Sequence, residues 1–589
     1  MNKIIKPTGI SLTFLIFSSI TNIVFAQDLQ FETSVPMRDG VKLAADVYLP
    51  ADKGKFPVLL QLTPYNKDGT AEAAAHYTSL GYAVVVADSR GIYASEGTWT
   101  PYVNDGRDGY DLQEWIGKQE WSNGNIGMFG CSYPGFTQLL SAQYASKHLK
   151  AIIPECAQSD NYSAIWSTNG IYQLGLVPAW GLDQEAAATD QKRPNVNWGE
   201  LAWHLPIADI PKLTGISSAF VNESIQNHNY GEFWRKMSIR EVYNQMNVPA
   251  LHVVGWYDDL TEETIRNFIN MRKQSASQHA RDWQRLLIGP WDHGVKPRRY
   301  YGDVDFGKDI ENFDMQALRD TWFNYHLKSE ENGLKEEAPI RIFVMGANEW
   351  RDEWEWPLAR TENKRFYLDS DGFANSLFGN GRLVAETPAA SKADQYRYDP
   401  NKPTPSYGGH GCCPRVSLAI GPFDQRAIQE RDDVLVYTSE VLKEDMEITG
   451  HPSVQLSVSL DVPDTDFFVT LSDVRPDGSS IPITEGSLRA RYRHSYTDPE
   501  FMKKGVIEHL TIPLWGTSNL FKAGHRIRVH VTSSNFPRYA RNLNSGGDLA
   551  HESKKDMRVA TPTIYHDDEH LSWVDLPLIP AGSRPIKPN

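Results

Sequence analysis

Residues 126–136 constrain the fold of this chain more than any other stretch. They read IGMFGCSYPGF, so an apolar run leads through Gly130 to Ser132 and then directly into a segment with helical spacing. A serine on so sharp a turn between a strand and a helix needs a strained backbone and small neighbours, and Gly130 supplies one of these. The turn also brings the side chain to a helix N-terminus, where free amides can bind a developing oxyanion. The pattern predicts an α/β fold with Ser132 as a candidate nucleophile.

The same stretch departs from the commonest form of such a turn. A glycine usually stands two residues after the serine, whereas here Pro134 holds that place and Gly135 follows. Taken alone, the motif therefore leaves open an ordinary serine-containing loop between a strand and a helix.

Short apolar runs alternate with helical stretches on both sides of this turn. Continuous apolar runs are typical of buried strands, and their alternation with helices predicts a parallel sheet that is covered on both faces. The predicted strands are 57–62, 82–87, 125–129, 249–254 and 286–288, and the predicted helices are 71–80, 108–118 and 135–147.

Two further regions follow different patterns. Between about residues 161 and 246 the apolar runs are missing and aromatic, polar helical stretches such as 165–176 replace them. An insertion of this length between strands predicts a helical cap. After about Trp356, apolar and polar residues alternate, as in 454–460 and partly in 526–531, and glycine and proline turns separate these runs. That pattern is typical of an antiparallel β-sandwich.

Two residues could complete a catalytic triad with the serine. Serine is a poor nucleophile without a base, and the base needs an orienting acid. In α/β-type hydrolases the order along the chain is serine, acid and histidine, each just past a strand. Asp258 and His293 fit this order and context, although either alone would be an ordinary loop residue. Asp259 and Asp292 compete for the acid role, and Asp258 is preferred because it lies closer to the end of its strand.

Motifs shared with a known family run from about residue 31 to about residue 547. They are VPMRDG at 35–40, TPYNK at 63–67, DSRG at 88–91, SEG at 95–97, GWYD at 255–258, GPWDH at 289–293, DTDF at 464–467, DVRPDG at 473–478, LRARYR at 488–493 and SSNFPR at 533–538. With these motifs the chain resembles the cocaine esterase family of serine hydrolases. That family is related to α-amino acid ester hydrolases, glutaryl-acylase-type enzymes and S15-type X-Pro dipeptidyl-peptidases. Its members carry a tyrosine after the serine and a glycine three after it, as Tyr133 and Gly135 do here.

The resemblance implies an α/β-hydrolase core, an inserted helical cap and a C-terminal jelly-roll β-sandwich. It also implies that the hydroxyl of Tyr65 and the backbone amide of Tyr133 bind the oxyanion. We expect Ser132 to attack an ester or amide carbonyl while His293 carries the proton and Asp258 orients the imidazole. The expected divisions are a signal peptide at 1–26, the core at 27–160 and 247–356, the cap at 161–246 and the sandwich at 357–589.

The sequence says less about the substrate. Trp166, Tyr172, Trp256 and Trp291 are candidate walls of an acyl pocket, with core positions as the alternative. Enzymes resembling α-amino acid ester hydrolases place an acid close behind the nucleophile, and residues 133–135 contain none. We therefore expect a neutral acyl ester or amide. An X-Pro dipeptidyl-peptidase, an α-amino acid ester hydrolase and, more remotely, an inactive carbohydrate-binding protein remain alternatives.

The N-terminus is typical of a secretory signal. Lys3 and Lys6 precede an acid-free stretch, 10–26, which ends in Ala26. This arrangement predicts cleavage after Ala26 and export to the periplasm or the medium. Polar residues within 18–22 interrupt the apolar stretch, so a stable membrane span is not expected.

Charge and cysteine content exclude several other classes. The 59 basic and 74 acidic residues give a net charge of −15, which argues against nucleic acid or an anionic membrane as a partner. Four cysteines cannot form a disulfide scaffold. A Cys131–Cys156 bridge stays open, whereas pairing of the adjacent Cys412 and Cys413 would strain the peptide. These two and His410 lack the spaced pairs of zinc sites, so neither a metal nor a cofactor is expected. The expected partner is a small-molecule ester or amide, and a homo-oligomer is left open.

Overall fold

Two large sheets organise the protein, whose computed structural model describes residues 29–165, 170–388, 391–413, 415–416 and 418–587. The predicted signal peptide, 1–26, lies outside these ranges. The strands of the N-terminal part are β1 (Leu29–Pro36), β2 (Lys42–Leu49), β3 (Phe56–Thr63), β4 (Ala83–Asp88), β5 (Ser122–Cys131), β6 (Leu149–Glu155), β7 (Ala250–Gly255), β8 (Gln284–Gly289), β9 (Tyr300–Tyr301), β10 (Val304–Asp305), β11 (Ile340–Val344) and β12 (Glu349–Glu353).

Ten of these strands form one sheet in the order β1-β2-β4-β3-β5-β6-β7-β8-β11-β12. All pairs from β4 to β11 in this order are parallel, and the pairs at both edges are antiparallel. The prediction of parallel strands is confirmed for the centre of the sheet, but the sheet as a whole is mixed. Its central strands are apolar and buried, because helices cover both faces.

The described helices are α1 (Ala71–Ser79), α2 (Asp105–Ile116), α3 (Tyr133–Ala142), α4 (Asn161–Ile165), α5 (Val177–Ala188), α6 (Trp198–Leu201), α7 (Ile210–Thr214), α8 (Ala219–Gln226), α9 (Glu232–Arg235), α10 (Thr261–Gln274), α11 (Gln278–Asp282), α12 (Lys308–Glu311), α13 (Met315–Lys328) and α14 (Arg426–Gln429). Helices α4 to α9 lie between β6 and β7, where the sequence predicts a cap. Every residue of α3 is buried, as expected of a largely apolar helix packed between the sheet and α2. Among the described residues, none of the helices combines the length and apolar character needed to span a bilayer.

The second sheet occupies the C-terminal part, as the alternating pattern predicts. Its strands are β13 (Glu362–Asp369), β14 (Arg382–Val384), β15 (Asp394–Gln395), β16 (Leu435–Ser439), β17 (Met446–Gly450), β18 (Ser453–Ser459), β19 (Asp466–Val474), β20 (Ser480–Arg489), β21 (Glu508–Pro513), β22 (Thr517–Phe521), β23 (Arg526–Thr532), β24 (Thr563–Tyr565) and β25 (Trp573–Ile579). Their pairs are antiparallel except for β14 with β16. The predicted α/β class with a β-rich C-terminal part is therefore confirmed.

Two predicted helices differ from the structure. The helix expected at 165–176 is not formed over 171–176, and residues 166–169 lie outside the described ranges. Instead α5 begins at Val177, next to Pro178, which suits the first turn of a helix. The helix expected at 135–147 ends at Ala142, and the chain turns through Ala145 with a φ of 49°. The boundaries proposed for the cap, 161–246, and for the sandwich, 357–589, stay predictions.

Candidate active site

The candidate catalytic residues follow neighbouring parallel strands. Ser132 directly follows β5, Asp258 follows β7, His293 follows β8, and Tyr65 follows β3. Because β3, β5, β6, β7 and β8 are adjacent and parallel, their carboxyl ends meet at one edge of the sheet. The topology therefore brings residues far apart in the sequence to one place, where open α/β sheets commonly bind ligands.

The turn that carries Ser132 needs the glycines around it. Ser132 has φ 66° and ψ −123°, a region that L-residues rarely adopt and that costs of order 1–3 kcal/mol. A Cβ atom on Gly130 would lie 2.6 Å from Cβ of Pro134, and one on Gly135 would lie 2.4 Å from the carbonyl oxygen of Glu155. The close approach to β6 is thus made at Gly135, so Pro134 can occupy the place where glycine is usual.

Asp258 and His293 form a buried pair. Nδ1 of His293 lies 3.0 Å from Oδ1 and 3.2 Å from Oδ2 of Asp258, and Asp258 also accepts a hydrogen bond from the Leu260 amide at 2.9 Å. Burial disfavours both charges, but the attraction between the two groups outweighs it. It raises the pKa of His293 well above its usual value and lowers the pKa of Asp258.

The loops that carry these two residues are fixed to each other. The amide of Trp256 donates to the carbonyl of Gly289 at 2.8 Å, and the amide of Tyr257 donates to the carbonyl of Trp291 at 3.1 Å. A Cβ atom on Gly255 would lie 1.9 Å from that Trp291 oxygen. Glycine at the end of β7 therefore permits the close packing that sets the Asp258–His293 distance.

The structure also separates the candidate acids. Oδ1 of Asp259 lies 3.9 Å from Nδ1 of His293, beyond hydrogen-bond distance. Asp292 accepts hydrogen bonds from the amide of Gly294 and the hydroxyl of Tyr301. The preference for Asp258 as the partner of the imidazole therefore agrees with the geometry.

Ser132 and His293 line the same cavity, which has a volume of about 90 Å³. Nε2 of His293 is buried and has no hydrogen-bond partner among the described residues. Because Asp258 holds Nδ1, Nε2 is the nitrogen that remains to accept the serine proton. Catalytic hydrogen bonds of this kind are often long before substrate binds.

Tyr65 and Tyr133 lie beside the serine, as the resemblance implies. The residue Tyr65 is 39% exposed, yet its hydroxyl reaches the cavity and accepts a hydrogen bond from Nε1 of Trp180 at 3.2 Å. Burial raises the pKa of Tyr65, so the hydroxyl stays protonated and can donate. Tyr133 is the first residue of α3, and amides in a first helical turn lack an intrahelical acceptor.

Hydrogen bonds and ring stacking hold the side chain of Tyr133, the residue after Ser132, in place. Its hydroxyl donates to Oδ2 of Asp105 at 2.6 Å and accepts from the amide of Tyr102 at 2.9 Å. Its ring stacks on that of Tyr102 with centroids 4.2 Å apart. Burial raises the pKa of Asp105 to about 6, although the hydrogen bond from Tyr133 opposes the shift. Tyr133 is therefore held by its ring as well as by its place in α3.

The predicted pocket aromatics do not line this cavity. Trp256 is fully buried and donates from Nε1 to the carbonyl of Phe343 at 2.8 Å, and Trp291 packs in the core against Trp350. Tyr172 lies in a separate crevice between the cap helices and the C-terminal part. Trp166 falls outside the described residues. The pocket prediction is therefore wrong for Trp256, Trp291 and Tyr172, whose burial reflects packing.

Other residues form the walls of the cavity. The cap region contributes Asn161, Ala164, Leu176, Val177 and Trp180; the core contributes Tyr102, Gln158, Asp259 and Leu260; and the C-terminal part contributes Cys412 and Cys413. The sequence gives no signal that selects Trp180 from 17 tryptophans, because cap packing alone brings it to the serine.

All four cysteines are free thiols. The Cys131 and Cys156 thiols both point to the carbonyl oxygen of His293, at 3.6 and 3.5 Å. Cys412 and Cys413 belong to a loop that reaches the cavity from the C-terminal part. The amide of Gly411 ties this loop to the carbonyl of Tyr257 at 3.0 Å. A hydrogen bond from Cys412 lowers the pKa of Cys413 to about 6.

Comparisons with known proteins agree with this architecture. The family model for X-Pro dipeptidyl-peptidase (S15 family) matches residues 39–295, and the model for the X-Pro dipeptidyl-peptidase C-terminal non-catalytic domain matches 332–575. Cocaine esterase from Rhodococcus sp. (strain MB1 Bresler) is 37% identical over 574 residues, covering 92% of this chain and 97% of that protein.

Two solved structures extend the similarity to the whole fold. An aminopeptidase from a marine sediment archaeon, Thaumarchaeota archaeon, has a TM-score of 0.82 at 25% identity, covering 98% of this chain and 99% of that one. An α-amino acid ester hydrolase has a TM-score of 0.81 at 25% identity, covering 96% of this chain and 100% of that one. The core is therefore an α/β-hydrolase fold, and the chain belongs to the cocaine esterase family of S15-type serine hydrolases.

Proposed function

We propose that this serine hydrolase cleaves esters or amides of small neutral acyl groups through an acyl-enzyme on Ser132. One observation carries the proposal: the buried Asp258–His293 pair, with its unpartnered Nε2, shares a cavity with Ser132 and the hydroxyl of Tyr65. The relative named cocaine esterase is by its name an ester hydrolase, which supports an ester as the substrate.

The proposed reaction has two stages, acylation of Ser132 and release of the acyl group, and His293 transfers a proton in both. Nε2 of His293 takes the proton of Ser132 as the hydroxyl oxygen attacks the carbonyl carbon, and Asp258 stabilises the imidazolium. The hydroxyl of Tyr65 and the amide of Tyr133 stabilise the oxyanion. The imidazolium then protonates the leaving group, and water, activated by the same nitrogen, releases the acyl group from Ser132.

The charges around the cavity favour a neutral acyl group. Asp259 is the one carboxyl group among the described lining residues, and burial, with the nearby charge of Asp258, raises its pKa well above the usual value. Glu263 is paired with Arg240, and Glu262 accepts from the amide of Gly516. Among the described residues that line the cavity, no ionised carboxylate is thus left to pair with a substrate ammonium group. A volume of about 90 Å³ suits a short acyl group, since the pockets that bind drug-sized ligands measure roughly 300–1,000 Å³.

Asp259 also supports a second candidate function. Its Oδ1 atom is buried without a hydrogen-bond partner among the described residues, and an α-ammonium group of a substrate would ionise and pair with it. An α-amino acyl ester or amide would then be preferred. The names of the two similar structures, an aminopeptidase and an α-amino acid ester hydrolase, point in the same direction.

Hydrolysis of p-nitrophenyl butyrate tests the proposed function. We expect the parent enzyme to turn over this ester and Ser132→Ala to lose on the order of 10⁶-fold in kcat. Ser79→Ala is the matched control, because Ser79 is exposed on α1 and its hydroxyl donates to the carbonyl of His76 in its own helix. Equal rates in Ser132→Ala and the parent would refute the acyl-enzyme.

A pair of methyl esters separates the two candidates. Methyl butyrate and methyl 2-aminobutyrate differ only in the α-ammonium group, and a pH-stat measures both. The neutral proposal expects a higher kcat/KM for methyl butyrate in the parent. The second candidate function predicts a higher kcat/KM for methyl 2-aminobutyrate in the parent. It also predicts that Asp259→Asn loses this preference. Rapid release of p-nitroaniline from Ala-Pro-p-nitroanilide would instead favour a dipeptidyl-peptidase.

We also propose that the protein is exported after removal of residues 1–26. The support is the basic start, the apolar middle and the small residue at Ala26. Expression in a Gram-negative host followed by fractionation and intact mass measurement tests this. We expect a periplasmic or secreted chain that begins at Gln27. A cytoplasmic chain that retains Lys3 would contradict export.

A further inference from the structure

Two thiols from the C-terminal part lie against the imidazole of His293. Sγ of Cys412, Sγ of Cys413 and one ring nitrogen of His293 all lie within 4.8 Å of one another. The three side chains line the cavity that contains Ser132. His410, the histidine nearest to the thiols in the sequence, is not part of the cluster, because its ring packs on Trp515 with centroids 4.3 Å apart.

Of the two ring nitrogens of His293, Nε2 is the one that is free to bind a cation. Nδ1 of His293 is held by Asp258 at 3.0 Å, whereas Nε2 is buried and has no hydrogen-bond partner among the described residues. His293 as a whole residue is only 8% exposed. A hydrogen bond from Nδ1 to a carboxylate is also the arrangement that orients a metal-binding imidazole.

Two sulfur atoms and one imidazole nitrogen form a soft donor set. Such sets select Zn²⁺ and related thiophilic cations over Mg²⁺ or Ca²⁺, which prefer oxygen. Zinc bonds of about 2.3 Å to sulfur and 2.0 Å to nitrogen place tetrahedral ligands roughly 3.5–3.8 Å apart. Atoms within 4.8 Å of one another reach this spacing by small side-chain rotations. Cys413 is exposed and Cys412 is half-buried, so a cation can reach the thiols from solvent.

We propose that Cys412, Cys413 and Nε2 of His293 form an inhibitory site for a thiophilic divalent cation. Binding releases to solvent the protons that the two thiols and Nε2 carry and places the cation on the nitrogen that must accept the proton of Ser132. The hydrolase is therefore inactive while the cation is bound and active after its removal. The inhibitory part rests on the proposed function, whereas cation binding itself does not.

Cobalt spectroscopy tests the binding part without any hydrolysis. Full-length Ser132→Ala protein, kept reduced with a phosphine, is titrated with Co²⁺, and the thiolate-to-cobalt charge-transfer band is recorded. We expect one Co²⁺ per chain and displacement by Zn²⁺. The band should vanish when Cys412→Ser and Cys413→Ser are added, and weaken with Cys413→Ser alone.

A matched variant tests whether a second group of possible ligands at the same histidine produces the cobalt band. Cys156, Asp258 and His293 also place one ligand atom each within 4.8 Å of one another. Cys156→Ser in the Ser132→Ala background should keep the cobalt band. No band in the starting protein, or a band that survives the double replacement of Cys412 and Cys413, would overturn the site.

Zinc inhibition tests the regulatory part. Ester hydrolysis is measured against free Zn²⁺, with each variant normalised to its own rate in a chelator. Relative to the parent, the Cys412→Ser/Cys413→Ser enzyme should need at least about 10–100-fold more Zn²⁺, the loss in affinity that even outer-shell partners cause. Unchanged sensitivity in this variant would refute the inhibitory role. An enzyme without hydrolytic activity would refute the proposed function instead, and the cobalt band would still decide the site.

Discussion

Replacing Tyr65 by phenylalanine removes one of two proposed oxyanion donors and little else. The ring contact with Tyr133, edge to face at 6.3 Å, is retained. Nε1 of Trp180 loses its hydrogen-bond acceptor, which costs about 1 kcal/mol of folding stability. Because burial keeps the hydroxyl protonated, the parent enzyme offers a neutral donor over the whole working pH range. The second donor, the amide of Tyr133, is unaffected by the change.

The expected effect on the rate follows from that count of donors. Loss of one oxyanion donor costs about 10²–10³ in kcat, or about 2.7–4 kcal/mol of transition-state stabilisation. KM should change little, because the hydrogen bond strengthens only as the oxyanion forms. Steady-state hydrolysis of p-nitrophenyl butyrate measures both constants, and circular dichroism confirms folding.

Tyr172→Phe is the matched control for this measurement. Tyr172 is buried in a separate crevice, where its hydroxyl lies 3.3 Å from that of Ser224. Its loss should leave kcat close to that of the parent. If Tyr65→Phe retains most of its activity, or if Tyr172→Phe falls as far, the oxyanion role of Tyr65 is refuted.

Two further predictions concern the triad and the serine turn. A raised pKa of His293 keeps the imidazole protonated at low pH, so kcat/KM should rise with pH as the free base forms. Asp258→Asn removes the charge that raises this pKa, so the rise of kcat/KM should move to lower pH while kcat falls by about 10⁴. If the rise stays at the same pH, the pH profile does not report the titration of His293 beside Asp258. Gly135→Ala should destabilise the fold by more than about 1 kcal/mol in urea unfolding, because the added Cβ lies 2.4 Å from the carbonyl oxygen of Glu155. Gly69→Ala, whose Cβ meets nothing within 4 Å, is its control, and equal stability of the two variants would contradict the role given to Gly135.

The sequence could predict the features that local patterns determine. Apolar runs with helical intervals located the central strands, and β5, the turn at Ser132 and α3 follow one another where the motif requires. The order of Ser132, Asp258 and His293 along the chain was informative because each follows a strand of one parallel sheet. The local structure also explains why proline is tolerated at position 134, since the close contact with β6 is made by Gly135.

The walls of the cavity could not be predicted in this way. Trp256 and Trp291 stand beside Asp258 and His293 in the sequence, yet their rings pack in the core, where Nε1 of Trp256 donates to the carbonyl of Phe343. Trp180 and the Cys412–Cys413 pair reach the cavity from distant segments. Their positions depend on how the cap helices and the C-terminal part pack on the sheet. A single sequence contains no periodic signal for such packing.

Covalent labelling with a fluorophosphonate tests Ser132 as the acylated nucleophile most directly. The intact mass of the labelled chain gives the stoichiometry, and peptide mapping gives the position. We predict one label per chain, on Ser132, with no labelling of Ser132→Ala and slow labelling when His293→Ala removes the base. A label on another residue, or continued ester hydrolysis by protein that takes up no label, would contradict the assignment.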